Sequence, residues 1–372
     1  MVNRKPLNYR MAPELLGGLY IALISFIMLL LINGIPIPKD SHYFVSRLPF
    51  YPGNDEQIVN IFGLLRAPVY ELIDWVFWNP LTYACATFLG IFLLSYSLFF
   101  CALRMGKNFL FSFLGSLLVL PFSSQLTVLP FIGDFFSVSF PIHFGYQLDG
   151  FTTRMLTGFL FCCIIYALHF RHYNQAIIIL FLCFLCHPNN AISIAIVIFF
   201  TFLFLGITKR IHLFKNLIYL VIVICLGLVP AVLKMQELEP ISVDVFNAYD
   251  WYQGLLYDEG DDFSALFYLQ FHFVGQIQAI FIPLIIVFIS KQLETKGDDF
   301  STLYALALSP VFAYLFFALF EFSANKLELW NLMGLLIPTQ LGMKVIELSY
   351  LPTVFLVIIT MSRMVDRKNI CA

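Results

Sequence analysis

Apolar runs long enough to cross a membrane recur along this chain from residue 15 to residue 362, and most are closed by a short polar turn. A helix needs about 20 such residues to span a hydrocarbon layer of roughly 30 Å, and inside that layer the backbone has only protein to bond. The runs predict an all-α, polytopic transmembrane helix bundle, with spans near 15–35, 81–103, 108–126, 150–170, 175–187, 189–207, 216–236, 267–290, 302–322 and 345–362. Charged residues make up only 12% of the 372, about half the share in soluble proteins, so one integral membrane domain over 1–372 replaces the usual division into globular domains. The first span is too long, and too poorly followed by small residues, for a cleaved signal peptide, and is read as retained.

Charge sets the orientation. Arg4, Lys5 and Arg10 precede the first span, Arg104, Lys107, Arg171, Lys209, Arg210, Lys215, Lys291 and Lys296 occupy alternate loops, and Arg363, Arg367 and Lys368 follow the last span. Basic loops stay on the cytoplasmic side, which puts both termini there, in what reads as a bacterial inner membrane. The opposite loops carry the acids Asp55, Glu56, Asp134 and Asp149, then a run of eight between Glu237 and Asp262 that contains no Lys or Arg. The net charge of -2 and the lack of any basic run give no sign of a nucleic-acid partner. Membrane lipids are the expected surroundings.

Two outer segments and two interrupted tracts complete the organisation. Residues 36–80 begin extended, then present apolar faces through Ile58, Ile61, Leu65 and, after Pro68, Leu72, Trp75 and Trp78, a pattern for interfacial helices. Residues 237–266 form an acidic extracytoplasmic loop. The tract 175–207 is broken at His187-Pro188-Asn189-Asn190, where proline removes a helical donor and the Asn pair can cap; a turn there predicts short helices or a re-entrant hairpin on either side. The tract 329–343, broken by Pro338, reads as an outer-face helix dipping into the membrane.

The acidic pair Asp55-Glu56 ahead of interfacial helices, Arg154-Met155-Leu156 opening one span, and Leu185-Cys186-His187-Pro188 ending another resemble the polytopic glycosyltransferases of the GT-C type and similar bacterial membrane proteins. The resemblance covers about residues 15–207. It implies an active site at the outer face, a polyprenyl-phosphate-linked sugar as donor, and an acid of the first outer loop as catalytic base. The chain departs from the pattern in its modest loop between the seventh and eighth spans, and in carrying Gln340 and Lys344 where arginine is expected.

The residues themselves fit that chemistry. Sugar transfer from a lipid phosphate to a hydroxyl needs a carboxylate to take the acceptor's proton, which Asp55 or Glu56 would supply, with Asp134 and Asp149 as other bases or as ligands of a divalent cation. It also needs positive charge at the departing phosphate, available from Arg154, His187 and Lys344 at the outer ends of their spans. Each has an ordinary use as well. Asn54 with the two acids is a normal helix start, Asp134 and Asp149 suit solvated loops, Arg154 suits a headgroup contact, His187 suits a helix end bonded to a carbonyl, and Lys344 suits an interfacial anchor. Cys183-x-x-Cys186-His187 has the spacing of c-type haem attachment, but it lies in an apolar helical run, and the cysteines read as small packing residues. A transporter or flippase for a lipid-linked glycan, or a glycan polymerase, is the rival class. The absence of paired halves and of midplane charges weighs against transport.

Overall fold

The computed structural model describes residues 11–33, 80–119, 153–235, 277–294, 299–326, 345–346 and 348–371. Among these residues there are ten helices and no strand: α1 (Met11–Asn33), α2 (Pro80–Gly106), α3 (Phe109–Val119), α4 (Thr153–His169), α5 (Tyr173–Cys186), α6 (Pro188–Ile207), α7 (Leu213–Met235), α8 (Ile277–Gln292), α9 (Ser301–Lys326) and α10 (Tyr350–Cys371). A helix stands at every apolar run expected from the sequence. Segments Pro13–Leu31, Leu81–Gly106 and Asn190–Ile207 are long and apolar enough to cross a membrane, and six shorter apolar helices accompany them. This is the physical basis for reading the chain as an integral membrane protein. The expected interfacial helices of 36–79, the acidic loop 237–266 and the tract 329–343 lie outside the described residues.

Packing is organised around α4, which touches α2, α5, α6 and α9, while α2 in turn contacts α1, α3 and α10. Fully buried side chains, among them Phe99, Phe161, Ile165, Leu180, Ile198, Leu306 and Phe355, join in one core, against which α3 packs Phe111, Phe113 and Leu117. In lipid the hydrophobic effect does not drive helices together, so close van der Waals approach matters more, and small residues permit it. Gly18 of α1 shows the requirement: a Cβ there would sit 2.9 Å from Cα of Tyr96, on the backbone of α2.

Short connections at one end of the bundle are closed by basic residues in the left-handed region. Arg171 (φ 63°) and Lys209 (φ 56°) follow α4 and α6, and Lys107 (φ 57°) follows α2. In the first two cases the N–H of the next residue reaches five positions back, His172 to Ala167 at 2.7 Å and Arg210 to Leu205 at 2.8 Å. Arg171 and Lys209 themselves bond to Leu168 (3.0 Å) and Gly206 (2.9 Å). These are Schellman ends, where glycine is the usual choice. A side chain in this conformation costs about 1–2 kcal/mol, and a cation beside the negative end of the helix dipole offsets part of it.

One carboxylate, at the start of α9, gathers two of these connections. Arg171 Nη2 donates to Asp299 Oδ2, and Arg210 Nη1 donates to Asp299 Oδ1 at 2.7 Å and to Ser301 Oγ at 2.8 Å. Asp299 also accepts from Ser301 Oγ at 2.5 Å and from its N–H at 3.3 Å, capping α9. The same end holds Phe300, which stacks on His169 of α4 and lies under the Arg363 guanidinium of α10. Partial burial raises the Asp299 carboxyl, but the bonds from Ser301 and Arg171 and the charge of Arg210 outweigh it and hold the group at about 2, below its ordinary 3.8. A depressed carboxyl stabilises the fold above its unfolded value, and that contribution is lost as pH falls through the folded one.

Two outcomes follow. Gly18→Val, by overpacking against the α2 backbone, will lower stability by about 1–3 kcal/mol, read as a drop in thermal unfolding temperature in detergent. Asp299→Asn will cost roughly 1 kcal/mol, because the pairs are partly exposed and solvent-screened. The gap to wild type will be flat from pH 5 to 8 and will close toward pH 2.

Candidate functional site

Proline 188 decides the local geometry at the far end of α4, α5 and α6. Its ring excludes the helical conformation for the residue before it, and His187 accordingly has φ -158° and ψ 90°. The extended His187 ends α5 at Cys186, and Pro188, at the first helical position where its missing N–H is harmless, starts α6. His187 serves both helices. Its N–H bonds to Cys183 O at 2.8 Å and its carbonyl accepts from Ala191 N at 3.0 Å. Its ring Nδ1 accepts the N–H of Asn190 at 3.3 Å.

A neighbouring helix completes the cluster. Asn190 Nδ2 donates to Thr157 Oγ1 of α4 at 3.4 Å, with Asn190 7% exposed and Thr157 fully buried. The polar chain His187, Asn190, Thr157 thus runs from the α5–α6 junction into α4. Because Nδ1 is the acceptor, the neutral ring carries its proton on Nε2, and protonating Nδ1 would break the cap. The N-termini of α4 and α6 both lie at this end, and their N–H groups favour negative charge. The arrangement holds an imidazole in one tautomer at the junction of the α5 C-terminus and the α6 N-terminus, with the N-terminal turns of α4 beside it through Asn190.

The residues expected to carry chemistry fall unevenly on this geometry. His187 is central. It is a helix-end residue, as its ordinary reading had it; its ring accepts the backbone N–H of Asn190, and it, not the Asn pair, is the cap of α6. Arg154 lies in the first turn of α4, one turn before Thr157. The Asn190–Thr157 bond therefore draws together the two helices that carry His187 and Arg154. Asp55, Glu56, Asp134, Asp149 and Lys344 lie outside the described residues, and with them any divalent-cation site built on Asp134 and Asp149. Among the described residues no three His, Cys, Asp or Glu side chains gather into a metal-sized group. Cys183 is fully buried in the core and Cys186 half-buried, so the C-x-x-C-H segment is packed helix rather than an exposed attachment site.

Sequence reasoning missed three polar contacts. Thr157 and Asn190 carried a usable signal, each standing three positions after a residue already singled out, and so on the same helical face or cap. The pairing of Glu14, 8% exposed, with Arg104 at 3.1 Å joins α1 to α2 across 90 residues and leaves no local trace. The Asp299 network is equally non-local. No protein-family model matches this chain, and neither a curated protein nor a solved structure matches it.

His187→Ala will remove the cap of α6 and lower stability by about 1 kcal/mol, whereas His187→Asn, a strong capping residue, will keep most of it. Thermal unfolding of the two variants side by side checks this.

Proposed function

We propose that this chain is a membrane glycosyltransferase that moves a sugar from a polyprenyl-phosphate donor to an acceptor at the extracytoplasmic face, as the GT-C-type enzymes it resembles do. In this reading the chain forms about ten spans of a bacterial inner membrane, short helices on either side of His187 included, with both termini and the Asp299 loops on the cytoplasmic side. The observation that carries the reading is the His187–Asn190–Thr157 cluster, which joins the helix bearing Arg154 to the broken helix pair. The 14 residues of α5 rise about 21 Å, less than the roughly 30 Å of hydrocarbon, so the break at His187 falls within the apolar layer. Non-helical backbone is tolerated there only when buried in protein or lining a polar cavity.

The chemistry assigns each residue a part. The acceptor hydroxyl attacks the anomeric carbon, the bond from that carbon to the phosphate oxygen breaks, and Asp55 or Glu56 takes the hydroxyl proton. The lipid phosphate leaves as an anion toward Arg154, the His187 imidazole and the N-termini of α4 and α6. Asn190 and Thr157 hold the imidazole in place. Lys344 is a further cation for the phosphate, and Asp134 and Asp149 a further pair of acids for the acceptor or a metal.

Sugar transfer by the purified protein in nanodiscs, supplied with a panel of polyprenyl-phosphate sugars, tests this. Turnover is expected to fall at least about 100-fold in Asp55→Asn or in Glu56→Gln with the protein still folded, and His187→Asn is expected to lose turnover while keeping its stability. Movement of lipid-linked glycan across liposomes without any transfer would make the chain a flippase, and long glycan products would make it a polymerase.

A further inference from the structure

We infer that the rim formed by the α4–α5 and α6–α7 connections and by the described residues 293–294 and 299–300 between α8 and α9 binds the phosphate headgroup of an anionic phospholipid, whose acyl chains lie on the apolar side chains beside it. The inference is independent of the sugar-transfer reading, because this rim is at the opposite end of α4, α5 and α6 from His187. Among the described residues of these connections and the first turn of α7, four permanent cations, Arg171, Lys209, Arg210 and Lys215, face two carboxylates, Asp299 and Glu294. Both carboxylates are engaged: Asp299 takes the two arginines, and Glu294 Oε1 accepts the N–H of Phe300 at 3.4 Å. The surplus is positive.

Anchoring prepares the arginines for a phosphate. Arg171 is bound to Asp299 through Nη2 and Arg210 through Nη1, yet their side chains remain 64% and 46% exposed. A guanidinium held at one nitrogen keeps other N–H donors in a fixed fork, which suits the paired oxygens of a phosphate and loses little entropy on binding. Lys209 sits next to Arg210 at the left-handed end of α6, and Lys215 stands exposed in the first turn of α7, over Tyr219.

Apolar neighbours select a lipid over a free anion. Phe170 precedes Arg171, Ile207 lies two residues before Lys209, and Phe214 precedes Lys215; these three are 41%, 75% and 79% exposed. Each cation therefore stands at the edge of an uncovered apolar surface, the pattern of a headgroup above its chains. Inorganic phosphate would satisfy only the polar half.

The test is lipid binding and thermal unfolding of the purified full chain in detergent, with phosphatidylglycerol, phosphatidylcholine and inorganic phosphate as separate additions. Phosphatidylglycerol is expected to raise the unfolding temperature while the other two do not. The Lys209→Gln and Lys215→Gln substitutions, which leave the Asp299 network intact, are each expected to weaken phosphatidylglycerol binding about fivefold. Equal stabilisation by phosphatidylcholine, an equal shift from inorganic phosphate, or unchanged affinity in the variant carrying both substitutions would overturn the inference.

Discussion

Inside a hydrocarbon layer each backbone N–H and C=O must bond to protein, and the places where this chain stops being helical show how that demand is met. At the α4 and α6 ends, Schellman bonds return the last carbonyls to the chain through Arg171, His172, Lys209 and Arg210. Between α2 and α3, the side chain of Asn108 accepts the N–H of Phe111 at 3.2 Å and restarts the helix two residues after the previous one ends. At the α5–α6 break, one histidine supplies N–H, carbonyl and ring nitrogen to two helices. Several buried hydroxyls meet the same demand. Those of Ser25, Thr87, Ser95, Thr353 and Ser362 each donate to the carbonyl four residues back.

With the backbone satisfied within each helix, the contacts between helices decide the arrangement. Glycine at Gly18 lets α1 approach the α2 backbone, and Thr201 and Ser309 share a hydrogen bond of 2.9 Å between α6 and α9. Pro310 follows Ser309 inside α9 and leaves the carbonyl of Leu306 without its helical donor, so the Thr201 contact steadies α9 where it is weakest. At the loop end, Asp299 and the aromatic row Phe100, Tyr166, Phe170, His169 and Phe300 tie α2, α4 and the start of α9 into one surface. The ends therefore differ in chemistry: one is basic and anchored by a shared carboxylate, the other holds a neutral polar cluster at two helix N-termini.

That division gives the proposed reaction and the proposed lipid site separate ends of the same helices. Cations paired to Asp299 hold the connections and, in the proposed lipid site, meet the headgroup. At the other end, the imidazole of His187 is kept in one tautomer by the backbone it caps, and Asn190 couples it to α4. The helix that carries Arg154 and Thr157 runs between the two ends, so its position is fixed by Asp299 through Arg171 at one end and by Asn190 at the other.

The sequence by itself determined the elements. A helix stands at each of the ten apolar runs because hydrophobic run length and terminal charge are local properties, and the break at His187-Pro188 was legible because proline acts on its immediate neighbour. His187 and Arg154 were visible as polar residues at the rims of apolar runs. What only the tertiary structure decided was partnership. Nothing local pairs Glu14 with Arg104, brings Arg171 and Arg210 to the same oxygen pair of Asp299, or sets Asn190 against Thr157 across 33 residues. Such contacts depend on which helices pack together and in what rotation, and that is fixed by steric fit at positions such as Gly18 and Phe99, which the length and position of an apolar run do not specify.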